Sequence, residues 1–328
     1  MSVLSLFRKS ARAECRIVFP EGEDERILQA ARLAKDRRLA TPLFVGDKNK
    51  IEETAKRLKI KIADIQIIDT SKGVPKKYIA AYARIRKVPE RLAERMLSNP
   101  LFLAALMVRM GEADGMIAGA IATSADVITA AEGIIGLKKG ISVPSSFFII
   151  EIPGYKGGEN GLLLFADSSV NIDPTPEQLA DIAITTARTA RELLGWTPRV
   201  AMLSFSTKGS AIHPRADKVI EATKIANRKA PKLYIDGELQ GDAALVEKIA
   251  IKKMKGKIGK VAGRANILIF PDLDSGNIAY KLVQTLARAN AYGPILQGFE
   301  KPVSDLSRGA KVGDIVGVIA IISTWAGK

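Results

Sequence analysis

The chain has 328 residues, 47% of them apolar and 26% charged, which suits two globular domains and excludes a disordered protein. Its net charge of +15 favours anionic partners. No run approaches the ~20 apolar residues that span a bilayer, the opening MSVLSLFRKSARAE does not suit a secretory signal, and the one cysteine, Cys15, cannot form an intramolecular disulfide, so we expect a cytoplasmic protein without a membrane partner.

The first third of the chain alternates strand patterns with helical periods. IVF (17–19) and TPLFVGD (41–47) predict strands, and a helix is predicted between them. Its ends carry charges that suit the helix dipole, with Glu21, Glu23, Asp24 and Glu25 in the first turn and Lys35, Arg37 and Arg38 in the last. Further helices are predicted over 50–58, 76–87, 89–97 and 101–112, followed by a strand at 114–120 and another helix start near 123–126.

The rest of the chain continues the alternation after one hairpin. FFIIEI and LLLFAD predict the hairpin. Helices are then predicted over 176–194, 214–229, 239–253 and 275–290, with VAMLSFS, KLYID, NILIFPD and GPILQGF as strands between and after them. DIVGVIAIISTWAG suits a strand or a buried helix by its period, and we predict a helix. The alternation predicts an α/β fold with mainly parallel strands.

Polar segments after the predicted strands are candidate binding sites, because ligands of open α/β sheets bind beyond the carboxyl ends of strands. The segment SFSTKGSAIHP offers hydroxyls, N–H groups and a positive charge to a phosphate through Ser206, Thr207, Lys208, Gly209 and Ser210. It is equally consistent with a loop in which Ser210 caps the next helix. In DGELQGDAAL, Asp236 and Glu238 either orient a ligand or end a strand. In FPDLDSGN, Ser275 is expected to cap the next helix.

The segment VSDLSRGAKVGDIV (303–316) places a hydroxyl, a guanidinium and a carboxylate within eight positions. They belong to Ser307, Arg308 and Asp314. Without further information they fit a turn in which Arg308 pairs with a nearby acid and Asp314 caps the last helix. The sole histidine, His213, precedes a predicted helix start and no GxSxG elbow is present, which argues against a serine-histidine hydrolase. No Walker loop, GxGxxG fingerprint or metal-ligand spacing occurs.

Four long segments, in order, resemble the phosphate acetyltransferase (phosphotransacetylase) family. They are MLSFSTKGSAIHPRADKVIEAT, YIDGELQGDAAL, AGRANILIFPDLDSGNIAYKLVQ and GPILQGFEKPVSDLSRGA. The resemblance implies two α/β/α sandwich domains with a cleft between them and a homodimer. It implies that the chain's end returns to the first domain, so we predict domains of 1–140 plus 300–328, and of 141–299. It also implies that acetyl-CoA plus phosphate interconvert with CoA plus acetyl phosphate without metal or prosthetic group.

The resemblance implies roles for five residues. Ser307 and Arg308 match the catalytic serine-arginine pair of the family, and Asp314 matches the proposed base that takes the proton of the CoA thiol. Arg86 matches an arginine that binds CoA. A second CoA-binding arginine has no counterpart, because Thr129 stands in its place. Direct transfer in a ternary complex is the implied route, with an acyl-Ser307 intermediate as the alternative.

Three other functions remain open from the sequence. A phosphate butyryltransferase would differ in acyl-chain preference, and a non-catalytic acyl-CoA-sensing module would lack turnover. A nucleic-acid binder would use the net charge, but no zinc finger or RNP-like aromatic string is present, so we expect no nucleic-acid partner.

Overall fold

The structure is a computed structural model that describes the chain apart from Met1, Ser2 and Lys9, which fall within the predicted domain 1–140. The described residues form two compact units. The first, called the terminal unit here, consists of Val3–Lys138 and Phe299–Lys328. The middle unit consists of Lys139–Gly298. Both contain helices and mainly parallel strands, which confirms the predicted α/β class.

The terminal unit contains a parallel sheet with the strand order β3-β2-β1-β4-β11. Its strands are β1 (Arg16–Phe19), β2 (Thr41–Gly46), β3 (Gln66–Asp69), β4 (Gly115–Ala118) and β11 (Val303–Asp305). Because all neighbouring strands are parallel, their carboxyl ends meet at one edge of the sheet. The last strand lies beside β4 although some 190 residues separate them in sequence.

The helices of the terminal unit pack on this sheet or on one another. They are α1 (Val3–Arg8), α2 (Glu25–Asp36), α3 (Lys48–Arg57), α4 (Lys76–Arg86), α5 (Glu90–Leu97), α6 (Pro100–Arg109), α7 (Ser124–Ala130) and α13 (Val312–Ala326). In α2, the carboxylate of Asp24 caps the N-terminus, and Ile27 and Leu28 are fully buried. The helix predicted for the final segment is confirmed as α13, in which Ile315 to Thr324 are buried.

The middle unit contains a mixed sheet with the order β10-β5-β6-β9-β7-β8. Its strands are β5 (Ser145–Glu151), β6 (Leu162–Ala166), β7 (Arg199–Leu203), β8 (Tyr234–Leu239), β9 (Ile267–Ile269) and β10 (Asn290–Gln297). The predicted hairpin is confirmed, since β5 and β6 pair antiparallel. Strand β10 pairs antiparallel with β5, whereas β6, β9, β7 and β8 run parallel to one another.

Helices of the middle unit follow its strands as crossover connections. They are α8 (Pro176–Leu194), α9 (Pro214–Lys229), α10 (Gly241–Leu245), α11 (Glu247–Lys253) and α12 (Leu273–Leu286). Phe148 of β5 stacks on Tyr280 of α12, with ring centroids 4.2 Å apart. No helix within the described ranges is both long and apolar enough to cross a membrane.

Several details of the sequence prediction were wrong. The predicted helix over 239–253 is divided, because β8 continues to Leu239 and Val246 is extended between α10 and α11. Asp272, rather than Ser275, caps α12, and His213, rather than Ser210, caps α9. Helix α1 and the strands β3 and β11 were not predicted. The two strands have only four and three residues, too few for a clear period.

Candidate active site

Three adjacent strands of the terminal unit end at the same edge, and their loops form the candidate site. Strand β4 lies between β1 and β11, with Val18 in register with Met116 and Asp305 in register with Ala118. The loops that follow therefore lie side by side. They carry Glu21 after β1, a Gly-containing turn after β4, and Ser307 with Arg308 after β11.

Glu21 is a buried carboxylate that holds the loop after β4. Its oxygens accept hydrogen bonds from the backbone N–H groups of Ala120 (2.8 Å), Ile121 (3.0 Å) and Ala122 (2.7 Å). The sequence predicted Glu21 in the first turn of α2, but that helix begins at Glu25, and Glu21 lies ahead of it. A buried charge requires such donors, so Glu21 and the loop after β4 stabilise each other.

Gly119 allows β4 and β11 to remain close at the point where both end. Its φ is +97°, and a Cβ at this position would lie 2.2 Å from Oδ1 of Asp305 and 2.6 Å from the backbone nitrogen of Leu306. That nitrogen donates to the carbonyl of Ala118 at 2.6 Å. Only glycine meets both the left-handed conformation and the close approach.

The residues Ser307, Arg308 and Asp314 lie in one turn and the first turn of α13. Oγ of Ser307 accepts a hydrogen bond from the N–H of Gly309 (3.3 Å), which leaves the hydroxyl proton for donation. Asp314 is half-buried, and its Oδ2 accepts from the backbone N–H of Lys311 (3.0 Å), a capping contact at the N-terminus of α13.

The guanidinium of Arg308 is exposed, so its N–H donors are accessible from solvent. In residues 3–8 and 10–328, no hydrogen bond or ion pair engages it. The alternative in which Arg308 forms a surface ion pair therefore has no support in the described part of the chain. An exposed planar cation next to an exposed hydroxyl is suited to binding an anion.

Asp305 is a second carboxyl at this edge, and the sequence did not indicate it. It is 1% exposed, and its Oδ1 has no hydrogen-bond partner among the described residues. Burial raises the pKa of Asp305 from 3.8 to about 6; the charge of Glu21 adds to the rise, while a hydrogen bond with Ser124 and the charge of Arg308 oppose it. Strand β11 has only three residues, so no period in the sequence indicated that this side chain would be buried.

The two residues expected near CoA also belong to the terminal unit. Thr129 is exposed on α7, the helix that follows the loop held by Glu21. A π-helical turn, Ala131–Ile135, follows it, and its last carbonyls accept hydrogen bonds from Arg109. Arg86 is exposed at the C-terminus of α4, and no hydrogen bond in the described residues joins it to the Ser307 turn.

The predicted phosphate loop lies in the middle unit, and its side chains have partners there. Ser206 is buried, and its Oγ donates to Oε1 of Glu238 at 2.9 Å. Nζ of Lys208 donates to Oδ1 of Asp236 at 2.5 Å. The N–H of Gly209 donates to the same oxygen of Glu238 at 2.7 Å. Asp236 and Glu238 therefore fix this loop.

Thr207 and Ser210 complete the hydrogen bonds of the loop. Oγ1 of Thr207 donates to Gln240 at 3.1 Å, and Oγ of Ser210 accepts from the N–H of Thr207 at 2.9 Å. Lys208, Gly209 and Ser210 are the exposed members. No group of three or more His, Cys, Asp or Glu residues that could hold a metal ion occurs in the described residues.

Comparison with known proteins gives one consistent family. Residues 2–323 match the model for "Phosphate acetyl/butaryl transferase". The phosphate acetyltransferase of Thermoanaerobacterium thermosaccharolyticum is 46% identical, over 99% of this chain and 100% of the relative. That of Clostridium acetobutylicum is 45% identical, over 97% and 96%. A solved phosphotransacetylase from Streptococcus pyogenes is 41% identical, covers 99% of both chains and superposes with a TM-score of 0.90.

The burial of Asp305 predicts a pH-dependent stability. Because its folded pKa of about 6 lies above the ordinary 3.8, its contribution to stability is complete below pH 3.8 and is lost as the pH rises through 6. The free energy of unfolding of Asp305→Asn minus that of the wild type should therefore rise between pH 4 and pH 7, by up to ~3 kcal/mol. Urea unfolding at several pH values measures it.

Asp64→Asn is the matched control for this measurement. A hydrogen bond from Lys35 lowers the pKa of Asp64, so both its folded and unfolded values lie outside the window from pH 5 to pH 7. Its difference from the wild type should stay constant there. A constant difference for Asp305→Asn as well would contradict the burial argument.

Proposed function

The chain belongs to the phosphate acetyl/butaryl transferase family, and on that premise we propose how it moves an acetyl group between coenzyme A and phosphate. The reaction is acetyl-CoA plus phosphate to CoA plus acetyl phosphate, and its reverse. The observation that carries the mechanism is the exposed Arg308 guanidinium, which has no hydrogen bond or ion pair in the described residues and follows the Ser307 hydroxyl directly.

Each of the three side chains has a chemical task in this proposal. Arg308 binds the phosphoryl group of acetyl phosphate and stabilises the negative charge that develops on the acyl oxygen. Ser307 donates its O–H to the same developing charge. Asp314 accepts the proton of the CoA thiol. The sulfur then forms the C–S bond, the C–O bond to phosphate breaks, and phosphate leaves with the electron pair.

The positive charge of Arg308 also lowers the pKa of the CoA thiol in this proposal. A free thiol has a pKa of ~8.5 and a free aspartate one of ~3.9, so an aspartate removes this proton poorly in water. A guanidinium near the sulfur stabilises the thiolate and lowers the thiol pKa. Arg308 therefore supports the proton transfer as well as binding the anion.

Direct transfer is favoured over an acyl-Ser307 intermediate. A serine nucleophile needs a base for its own proton. The only histidine, His213, caps α9 of the middle unit with its Nδ1, which accepts from the N–H of Arg215 at 3.2 Å. Oγ of Ser307 accepts a hydrogen bond from the N–H of Gly309, which leaves its hydroxyl proton for donation. It therefore suits stabilisation of charge better than attack.

Other parts of the prediction extend this proposal. Arg86, Thr129 and the Ser206–Ser210 loop are proposed to contact CoA or phosphate, with Lys208, Gly209 and Ser210 as the accessible members of the loop. CoA acts as a substrate, and no prosthetic group is proposed. The domain boundaries, the cleft between the domains and the cytoplasmic location stay predictions.

The function is tested by release of free CoA thiol from acetyl-CoA with and without phosphate. We expect release to depend on phosphate and to yield acetyl phosphate. Equal release without phosphate would indicate a thioesterase, and no release would fit an acyl-CoA-sensing module. Repeating the assay with butyryl-CoA separates acetyl from butyryl preference, and faster release from butyryl-CoA would favour the butyryltransferase alternative.

Replacing Arg308 should impair turnover much more than stability. Because it acts on charge that develops in the transition state, Arg308→Ala should lower kcat by ~100-fold or more. Arg308→Lys should recover little, since an ammonium cannot reproduce the planar fork. Arg91→Ala, which removes another exposed arginine of the terminal unit, is the control and should retain wild-type kcat. Near-normal kcat in Arg308→Ala would remove Arg308 from the mechanism.

Restoring the missing arginine should strengthen CoA binding. Thr129 can offer one neutral hydrogen bond where a guanidinium offers several charged ones, each worth ~1.5–3 kcal/mol. Thr129→Arg should therefore lower the KM for CoA by about tenfold. Leu92→Arg adds the same charge on exposed α5 and should leave it unchanged. An unchanged KM in Thr129→Arg would mean that another cation, such as Lys138 or Lys139, already contacts CoA.

We also propose a homodimer that uses one face of α12. Ile278, Leu282 and Leu286 recur every four residues and are 56%, 52% and 78% exposed, so they form an apolar stripe on this helix. Burying the stripe against its copy would remove it from water. Light scattering should give the mass of two chains for the wild type and of one chain for Leu282→Glu. Leu92→Glu, on α5, should remain dimeric, and a monomeric wild type would contradict the proposal.

A further inference from the structure

Arg26, the second residue of α2, uses every N–H of its guanidinium on a protein acceptor. Nε and Nη2 donate to the two carboxylate oxygens of Asp24, at 3.1 and 2.8 Å. Nη1 donates to the carbonyls of Arg308 (2.5 Å) and Ala310 (3.3 Å). Nη2 also donates to the carbonyl of Ala120, at 3.0 Å. These contacts use all five donors of a guanidinium.

The carboxylate that orients this guanidinium is itself fixed. Asp24 caps α2 by accepting from the N–H groups of Arg26 (2.8 Å) and Ile27 (3.3 Å). Burial acts to raise the pKa of Asp24, but hydrogen bonds from Arg26 outweigh it, so the pKa lies below its ordinary value. The ion pair therefore stays charged, and the fork of Arg26 has one orientation relative to α2.

Two of the three carbonyls that Arg26 contacts belong to the turn that carries the proposed catalytic residues Ser307 and Arg308. Arg308 and Ala310 flank Gly309, and within the turn Ala310 donates to the carbonyl of Ser307 at 2.8 Å. Fixing the carbonyl of Arg308 fixes the peptide plane between Arg308 and Gly309, and with it the direction in which Arg308 leaves the backbone. Fixing the carbonyl of Ala310 fixes the peptide plane that follows Ala310. The bond to Ala120 joins this turn to the loop that Glu21 holds.

We propose that Arg26 is a positioning residue for the acyl transfer, which aligns the Ser307–Arg308 turn without contacting substrate; this rests on the proposed roles of Ser307 and Arg308. A lysine could not replace it, because one ammonium cannot contact Asp24 and the carbonyls of both loops in the same plane. Misplacement of a reacting group by about 1 Å can lower a rate by ~100-fold. Loss of Arg26 should therefore act on kcat.

The test compares Arg26→Ala and Arg26→Lys with Arg32→Ala in the full chain. Arg32 is the matched control, because it lies on the same helix and is also multiply bonded, to Asp36, Asp64 and the carbonyl of Lys61, away from the Ser307 turn. Steady-state kcat, the KM for CoA and Tm are measured for each variant. Arg26→Ala is also assayed with millimolar guanidinium chloride, with equal NaCl as the salt control.

We expect kcat to fall by about 100-fold in Arg26→Ala and nearly as far in Arg26→Lys, with the KM for CoA little changed. Guanidinium, but not NaCl, should restore part of the kcat of Arg26→Ala, whereas Arg32→Ala should lose Tm alone. A kcat of Arg26→Lys within about twofold of the wild type would overturn the proposal, even if Arg26→Ala did not fold. An inactive wild type and Arg32→Ala would instead overturn the proposed function.

Discussion

Two charged side chains near the start of the chain, Glu21 and Arg26, hold the loop after β4 and the turn after β11 that carries the proposed catalytic residues. Glu21 receives three backbone N–H groups from the loop after β4, and Arg26 donates to carbonyls on that loop and on the turn after β11. Buried or half-buried charges are costly unless every donor and acceptor is satisfied, and here the satisfying groups are the loop backbones themselves. The positions of the two charged side chains and the conformations of the loops therefore depend on each other.

This arrangement requires the chain to return to its first unit. Strand β11 lies beside β4, and Gly119 permits the close contact between them. As a result, Ser307 and Arg308 follow the end of β11 next to the N-terminus of α2. Arg26 of that helix and Arg308 are 282 residues apart in sequence. With its backbone bonded to Arg26, Arg308 has its guanidinium exposed to solvent, ready for an anion. The burial of Asp305 at the same edge adds a carboxyl whose pKa is raised to about 6, so its charge changes between weakly acidic and neutral pH.

The sequence predicted the long elements well, because helices such as α8 and α9 and the hairpin of β5 and β6 have clear periods and boundaries. It indicated Ser307, Arg308 and Asp314 only through the family resemblance, and their composition alone fitted an ordinary capped turn. Arg26, Asp305 and the bonding of Glu21 could not be predicted. They depend on which distant groups a side chain contacts, and that follows from the pairing of β4 with β11, which has only three residues.

The coupling between Arg26 and Arg308 is the most direct test of this dependence. It is measured as the kcat of Arg26→Ala, of Arg308→Ala and of the double variant. If Arg26 acts by aligning the turn that presents Arg308, Arg26→Ala should lower kcat much less in the Arg308→Ala background than in the wild type. Any decrease that remains in the double variant would then come from misalignment of Ser307. Losses that multiply in full in the double variant would show that the two arginines act independently and would contradict the positioning role.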